Sequence, residues 1–195
     1  TTRRIVEPKR RAERNKNLAE EAEVGSDASK RCAVLLTDPP WRYEHCEDED
    51  GRAIEKNYPT VPLEELCRWN IDKLVIKDAV LFMWSTSPKL AEAMHLIEAW
   101  GFSYRTCATW VKDKIGMGYY FRQRHELLLV ATRGKVPTPA PADRPDSVIE
   151  AKRGKHSAKP DIVYGIIEGM YPDLPKGELF ARKRRPGWLA WGNEV

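Results

Sequence analysis

The stretch Ala33-Val34-Leu35-Leu36-Thr37-Asp38-Pro39-Pro40-Trp41 decides the reading of this 195-residue chain. Four consecutive apolar residues bounded by a turn signal read as a strand buried on both faces, the pattern of a parallel sheet. In open α/β sheets the ligand crevice lies beyond the carboxyl ends of the strands, which is where Asp38-Pro39-Pro40-Trp41 falls. Two consecutive prolines fix two φ angles and bias Asp38 and Pro39 toward extended geometry, so the loop is stiff before any ligand arrives. A stiff loop suits positioning. The Asp38 carboxylate and the Pro39 carbonyl can accept both hydrogens of an amino group on adenine or cytosine, and the Trp41 ring offers a stacking surface.

A chain of this length supports one domain with a sizeable core. With 42% hydrophobic and 32% charged residues it has the composition of a soluble globular protein. No apolar run approaches the roughly 20 residues of a membrane span. The N-terminus is charged rather than signal-like, and a cytoplasmic location is expected. The cysteines (Cys32, Cys46, Cys67, Cys107) form no Cys-x-x-Cys pair, so reduced thiols and no metal site are expected. None follows a proline in the manner of a cytosine-C5 nucleophile, which argues against that covalent route.

Net charge is only +4, but its distribution is informative. Residues 1–31 hold nine Lys/Arg against six acids. Lys152, Arg153, Lys155 and Lys159 cluster around His156, and Lys176, Arg182, Lys183, Arg184 and Arg185 lie near the end. An acidic patch, Glu44 to Asp50, follows the proline motif. Charge runs are ordinarily solvated faces, but two basic clusters flanking a base-sized loop suit a phosphate backbone.

The organisation is that of an α/β domain. Residues 1–30 read as a charged N-terminal appendage, partly helical, and the catalytic domain as 31–195. Loop 42–57 is polar and aperiodic, hence mobile. A short helix is expected at 62–69 with Thr60 as its cap. A strand follows at Ala79–Trp84. Next comes a helix capped by Ser87, opened by Pro88 and stopped by Gly101. Further strands are expected at 103–111 and Glu126–Ala131, and a long loop from Gly134 to Ala158. Ser157 and Pro160 open a last helix through Met170, and strands at Glu178–Ala181 and Trp188–Trp191 close the chain. Alternating strands and helices predict a mostly parallel central sheet.

In this order the residues resemble the MT-A70 family of adenine-N6 methyltransferases, over about Ala33 to Glu194. The likeness is carried by Asp38-Pro39-Pro40-Trp41, Tyr58, Leu81-Phe82-Met83-Trp84, Thr109-Trp110-Val111-Lys112, His125-Glu126, Lys159-Pro160-Asp161 with Tyr164-Gly165, Glu178-Leu179-Phe180 with Arg182, and Trp188 with Gly192-Asn193. It implies a Rossmann-like fold with permuted motif order, the catalytic loop preceding the cofactor strand. It implies S-adenosylmethionine (SAM) as cofactor and nucleic acid as partner.

Carried over by position, Asp38 and Pro39 bind the adenine amino group and Asp38 also lies by the cofactor, with Pro40 and Trp41 shaping the pocket. Tyr58 and Trp110 border the base, and Glu126 orients the acceptor side. Lys159 pairs with the SAM carboxylate, Arg182 and Asn193 reach its ribose, and Glu178-Leu179-Phe180 form the strand beside its adenosine. Glu194 stands where a neutral amide is common. Lys152, Arg153 and Lys155 are expected to meet phosphates. A cation opening a helix, as Lys159 does, opposes the helix dipole, which makes a functional use the better reading. There is no G-x-G-x-x-G loop, and the close pair Gly116 and Gly118 lies far from the cofactor strand. The acid for the SAM ammonium has no secure counterpart; Asp27 and Glu20 are weak candidates.

DNA is the favoured acceptor, because the compact chain lacks Cys-rich zinc modules and looks like bacterial and phage members. RNA methylation, and a non-catalytic subunit that presents nucleic acid, remain as alternatives; the intact acid and prolines count against the latter. A homodimer is compatible with the sequence, and no membrane partner is expected.

Overall fold

The computed structural model describes residues 31–43, 60–118, 120–154, 158–192 and 195. The expected appendage 1–30 and the acidic part of loop 42–57 lie outside the described residues.

Strand β1 (Cys32–Thr37) is buried over its whole length, as four consecutive apolar residues require of a central strand. It joins β2 (Val75–Ser85), β3 (Ser103–Val111), β4 (His125–Arg133), β5 (Val148–Glu150), β6 (Lys176–Leu179) and β7 (Trp188–Trp191) in a seven-stranded sheet of order β5-β3-β4-β2-β1-β6-β7. β1 pairs in parallel with β2 and β6, β6 with β7, and β3 with β5. β4 runs antiparallel between β2 and β3. The sheet is therefore mixed and mostly parallel, within a Rossmann-like α/β sandwich.

Alternate residues feed two cores, as the two-residue period of strands demands. Leu35, Leu81, Met83 and Leu129 pack against helices α1 (Leu63–Cys67) and α2 (Leu90–Ala99) through Leu66, Leu96 and Ile97. Val34, Leu36, Phe82, Trp84 and Leu128 pack against helix α3 (Ile162–Met170) through Val163, Tyr164 and Ile167. Each such side chain contributes roughly 1.5–3 kcal/mol when fully buried. The indole N–H of Trp100 donates to the Leu66 carbonyl at 2.9 Å and ties the end of α2 to α1.

Gly101 ends α2 as expected, at φ 76°. Its N–H reaches the Glu98 carbonyl and the Phe102 N–H reaches Ile97, a paired closure that needs a left-handed residue between them. Four local expectations are corrected. α1 has Pro62 rather than Thr60 at its N-cap, with no side-chain hydrogen bond. Ser87 and Pro88 form a 3-10 turn before α2, and the Ser87 hydroxyl meets His125 Nε2 at 3.1 Å instead of capping. The stretch 134–158 is not all loop: it holds a 3-10 turn and β5, whose pairing is supplied by β3. The strand expected at Glu178–Ala181 runs Lys176–Leu179, because Phe180 turns out of the sheet at φ 65°.

Candidate active site

Connections from β1 run to β2 on one side, while β6 is added on the other, so the strand order reverses between β1 and β6. The crevice outside the carboxyl ends at such a switch point is where open α/β sheets hold ligands. Asp38 follows β1 there, Phe180 follows β6, and Thr37 and Leu179 are paired neighbours. The proline loop and the end of β6, far apart in sequence, are adjacent in space.

The proline loop is fastened on both sides. The Pro39 carbonyl accepts the Trp41 N–H at 2.8 Å and the Pro40 carbonyl accepts Val61 N–H at 3.0 Å. One lone pair of the Pro39 oxygen is thereby used, and no backbone N–H among the described residues takes the second. Trp41 is only 7% exposed, and its indole N–H points at the Trp84 carbonyl at 3.3 Å. The expected stacking face on Trp41 is therefore corrected: the ring is core and shapes the loop from beneath.

Above the loop lies an alternating row of charges. Lys159 Nζ is 2.8 Å from Asp38 Oδ2 and 3.1 Å from Glu126 Oε2, while Lys112 Nζ is 2.5 Å from Glu126 Oε1. The row exists because β1, β3, β4 and the segment opening α3 all deliver a charged residue to the same edge. Burial penalises the Lys159 ammonium, but the Asp38 and Glu126 carboxylates outweigh it and hold its pKa above the usual lysine value. Burial likewise penalises the Glu126 carboxylate, and Lys159 and Lys112 reverse this and hold it below the usual range. Lys159 and Lys112 also lie over the rings of Trp84 and Trp110, at 5.7 and 5.1 Å.

On β6, Glu178 accepts the Tyr164 hydroxyl at 2.9–3.0 Å. Burial raises the Glu178 carboxyl; the Tyr164 bond opposes this and the nearby Asp38 charge adds to it. Two carboxylates thus face one crevice with Lys159 beside the first. Thr37 Oγ1, buried one residue before Asp38, has no hydrogen-bond partner among the described residues.

The other expected site residues divide. Lys152 and Arg153 are exposed just past β5, and the Arg153 N–H donates to Asp113 Oδ1 at 3.0 Å. Arg182 lies half-buried just beyond Phe180, whose ring packs on Trp69 at 5.1 Å. Leu179 is core at 4% exposure, so only its backbone can serve a ligand. Trp110 is corrected: it is 2% exposed, meets Trp84 edge-on and donates to the Ala151 carbonyl at 2.8 Å, leaving no ring face for a base. Tyr58, Lys155, Asn193 and Glu194 lie outside the described residues. The sequence reading gave Lys112 and Tyr164 no role. Lys112 follows β3 by one residue, and continuing the two-residue period sets it on the face of Trp110; for Tyr164, whose carboxylate partner lies on β6, no local signal exists.

The MT-A70 family model matches residues 32–194. The chain is similar to M.MunI, a Type II methyltransferase of Mycoplasma sp, with 36% identity over 183 residues that cover 85% of this chain and 78% of that protein. It is also similar to human METTL3, an N(6)-adenosine-methyltransferase catalytic subunit, with 30% identity over 173 residues. That match covers 84% of this chain but only 28% of METTL3. The MT-A70-like N(6)-adenosine-methyltransferase of Drosophila melanogaster is 29% identical over 173 residues, 84% of this chain and 27% of its own length.

Proposed function

The chain belongs to the MT-A70 family of adenine-N6 methyltransferases, and from that premise we propose that it moves a methyl group from SAM directly onto the exocyclic nitrogen of adenine in DNA. The observation that carries this reading is Asp38, fixed by two prolines at the sheet's switch point and 2.8 Å from Lys159. In this reading residues 31–195 are the catalytic domain and 1–30 an appendage.

The donor set suits SAM. Its methionine end is a zwitterion, and the crevice offers the Lys159 ammonium to the carboxylate and an acid, Asp38, within ion-pair distance of it. Glu178, Leu179 and Phe180 supply a strand end beside the adenosine, and Arg182 and Asn193 the ribose contacts, with Glu194 at the adenine. The cofactor supplies an electrophilic methyl on a sulfonium.

The protein's part is placement. Adenine's amino nitrogen is a weak nucleophile because its lone pair is delocalised into the ring. Accepting both N–H hydrogens, at Asp38 and the second lone pair of Pro39, favours a pyramidal nitrogen with a localised pair; as the N–CH3 bond forms the S–CH3 bond would break to leave S-adenosylhomocysteine, and one N6 hydrogen would depart as a proton to solvent. Catalysis by orientation and electrostatics is then sufficient. Lys159, held between Asp38 and Glu126, keeps the Asp38 carboxylate aimed, and Glu126 in turn is anchored by Lys112. Tyr58 borders the base, Lys152 and Arg153 meet phosphates on the flank beyond β5, and Lys155 is assigned the same role from the sequence. A base in a duplex must be flipped out to reach Asp38, at about a few kcal/mol, which favours single-stranded or distorted sites.

DNA rather than RNA is supported by the higher identity and longer cover of the Type II methyltransferase than of the N(6)-adenosine-methyltransferases. Incubation with labelled SAM and mixed DNA and RNA, followed by nucleoside mass spectrometry, should give N6-methyldeoxyadenosine. Label in N6-methyladenosine alone would reverse the acceptor, and no label in either would refute the activity.

A further inference from the structure

Between β3 and β4 the chain leaves the sheet at the Asp38 edge and carries an exposed apolar tip. Ile115 is 51% exposed, Met117 80%, Phe121 82% and Tyr120 98%. A cluster of large apolar side chains held in water marks an interaction surface.

The tip is built rather than slack. The Lys112 N–H donates to the Arg124 carbonyl at 2.8 Å, Gly116 N–H to Gln123 at 2.7 Å, and Gln123 N–H to Met117 at 3.1 Å. The guanidinium Nε atoms of Arg122 and Arg124 bind the Gly116 and Lys112 carbonyls across the ribbon. Here the close glycine pair finds its use. A Cβ on Gly116 would stand 2.8 Å from the Gln123 carbonyl oxygen, and one on Gly118 2.0 Å from that of Phe121.

Cations surround the tip. Lys114, Arg122 and Arg124 are exposed, and among the described residues none is ion-paired with a carboxylate. The ribbon's root is continuous with the basic flank, since Asp113 Oδ1 accepts the Arg153 N–H. Its other leg runs directly into Glu126, the carboxylate that holds Lys159.

We infer that this ribbon is a docking surface for the nucleic-acid strand that carries the target adenine. Tyr120 and Phe121 stack on bases beside the target, and Lys114, Arg122 and Arg124 meet phosphates. The inference rests on the proposed function, in that the acceptor is nucleic acid. Exposed rings interleaved with unpaired cations match how single strands are held, by stacking along a basic track. Protein interfaces also enrich aromatics, methionine and arginine, so the choice of a strand rests on the cations that have no carboxylate partner among the described residues and on their continuity with the exposed Lys152 and Arg153.

The test is fluorescence anisotropy of the full chain with a labelled, adenine-containing single-stranded DNA. Tyr120→Ala with Phe121→Ala should weaken binding by roughly tenfold per ring, with melting temperature and SAM affinity unchanged. Phe121→Trp should retain binding, which a merely structural role for the phenylalanine would not predict. Lys114→Gln with Arg122→Gln should lower the slope of log K against log salt by about 1.4. If the parent binds neither DNA nor RNA, the proposed function falls together with this inference. If the parent binds and methylates but the double alanine variant binds as tightly, this inference alone is wrong. If that variant instead turns a dimer into a monomer in sedimentation velocity with strand affinity intact, the tip joins two copies of the chain and the inference is overturned.

Discussion

Neutralising Glu126 by Glu126→Gln should destabilise the protein in a way that reports the charge row directly. In the parent, Oε1 takes Lys112 at 2.5 Å and Oε2 takes Lys159 at 3.1 Å, with all three side chains 12–19% exposed. A glutamine keeps the shape but turns an N–H₂ donor toward one ammonium, and leaves Lys112 without its carboxylate. At an effective dielectric near 20 and about 3 Å, each attraction is about 5 kcal/mol before desolvation is subtracted. Breaking a buried pair from one side costs about 3–5 kcal/mol, and partial exposure moves the expectation to the lower end, about 2–3. For a chain of this size that is a fall in melting temperature of about 4–12 °C. The pH dependence carries the sign. Glu126 has its folded pKa held below the unfolded value, so its stabilisation is present above the ordinary carboxylate range and is lost as pH falls through the lowered value. Thermal melts followed by circular dichroism from pH 7 down to pH 3 should therefore show parent and variant converging in acid. Equal melting temperatures at pH 7, or a gap that does not change with pH, would refute the electrostatic account.

Asp38→Asn should lower methyl transfer by about 100-fold or more, read by mass spectrometry of nucleosides, while costing less stability than Glu126→Gln because Glu126 still pairs with Lys159; retained turnover would remove Asp38 from the chemistry. Glu168 accepts Arg185 through both oxygens and the Trp188 indole N–H, which together hold its pKa down to about 2. That clasp closes the turn between β6 and β7, and its stabilisation should be present above the ordinary carboxylate range and lost as pH falls toward about 2, a stretch that Glu168→Gln should flatten in acid denaturation. Gly192→Ala would set a Cβ 2.1 Å from the Ala181 carbonyl oxygen, so it should cost about 1–3 kcal/mol in urea unfolding and weaken SAM binding by calorimetry.

The basic segment after β6 shows why counting charge along a chain misleads about contacts. Lys183 is 2.6 Å from Asp161, and Arg185 is bound to Glu168 with its guanidinium 4.8 Å from the Tyr164 ring. Part of a cluster that reads as phosphate-binding is thus spent on fastening the turn to α3. Lys152 and Arg153, from the other basic cluster, remain exposed.

By itself the sequence determined the features whose cause is local. The apolar run of β1, the glycine that ends α2 and the 3.6-residue period of α3 each act within a few residues, and β1 and the Gly101 stop are found where the chain predicts them, while α3 opens at Ile162 after Asp161 rather than at Pro160. Family likeness then identified the chemistry, because the motifs keep their order along the chain. Tertiary structure decided what depends on partners distant in sequence. β5 is a strand only because β3 offers it an edge, and its three residues carry too little periodicity to announce it. Trp41 and Trp110 read as ligand-facing aromatics, yet the two-sided sheet had core to fill and carbonyls to satisfy their indole N–H groups. Lys159 stands out in the sequence as a cation where a helix opens, but its hold on Asp38 and Glu126 arises only where β1, β4 and the start of α3 converge on one edge, since a charge acts through distance in space and the chain records only distance along itself.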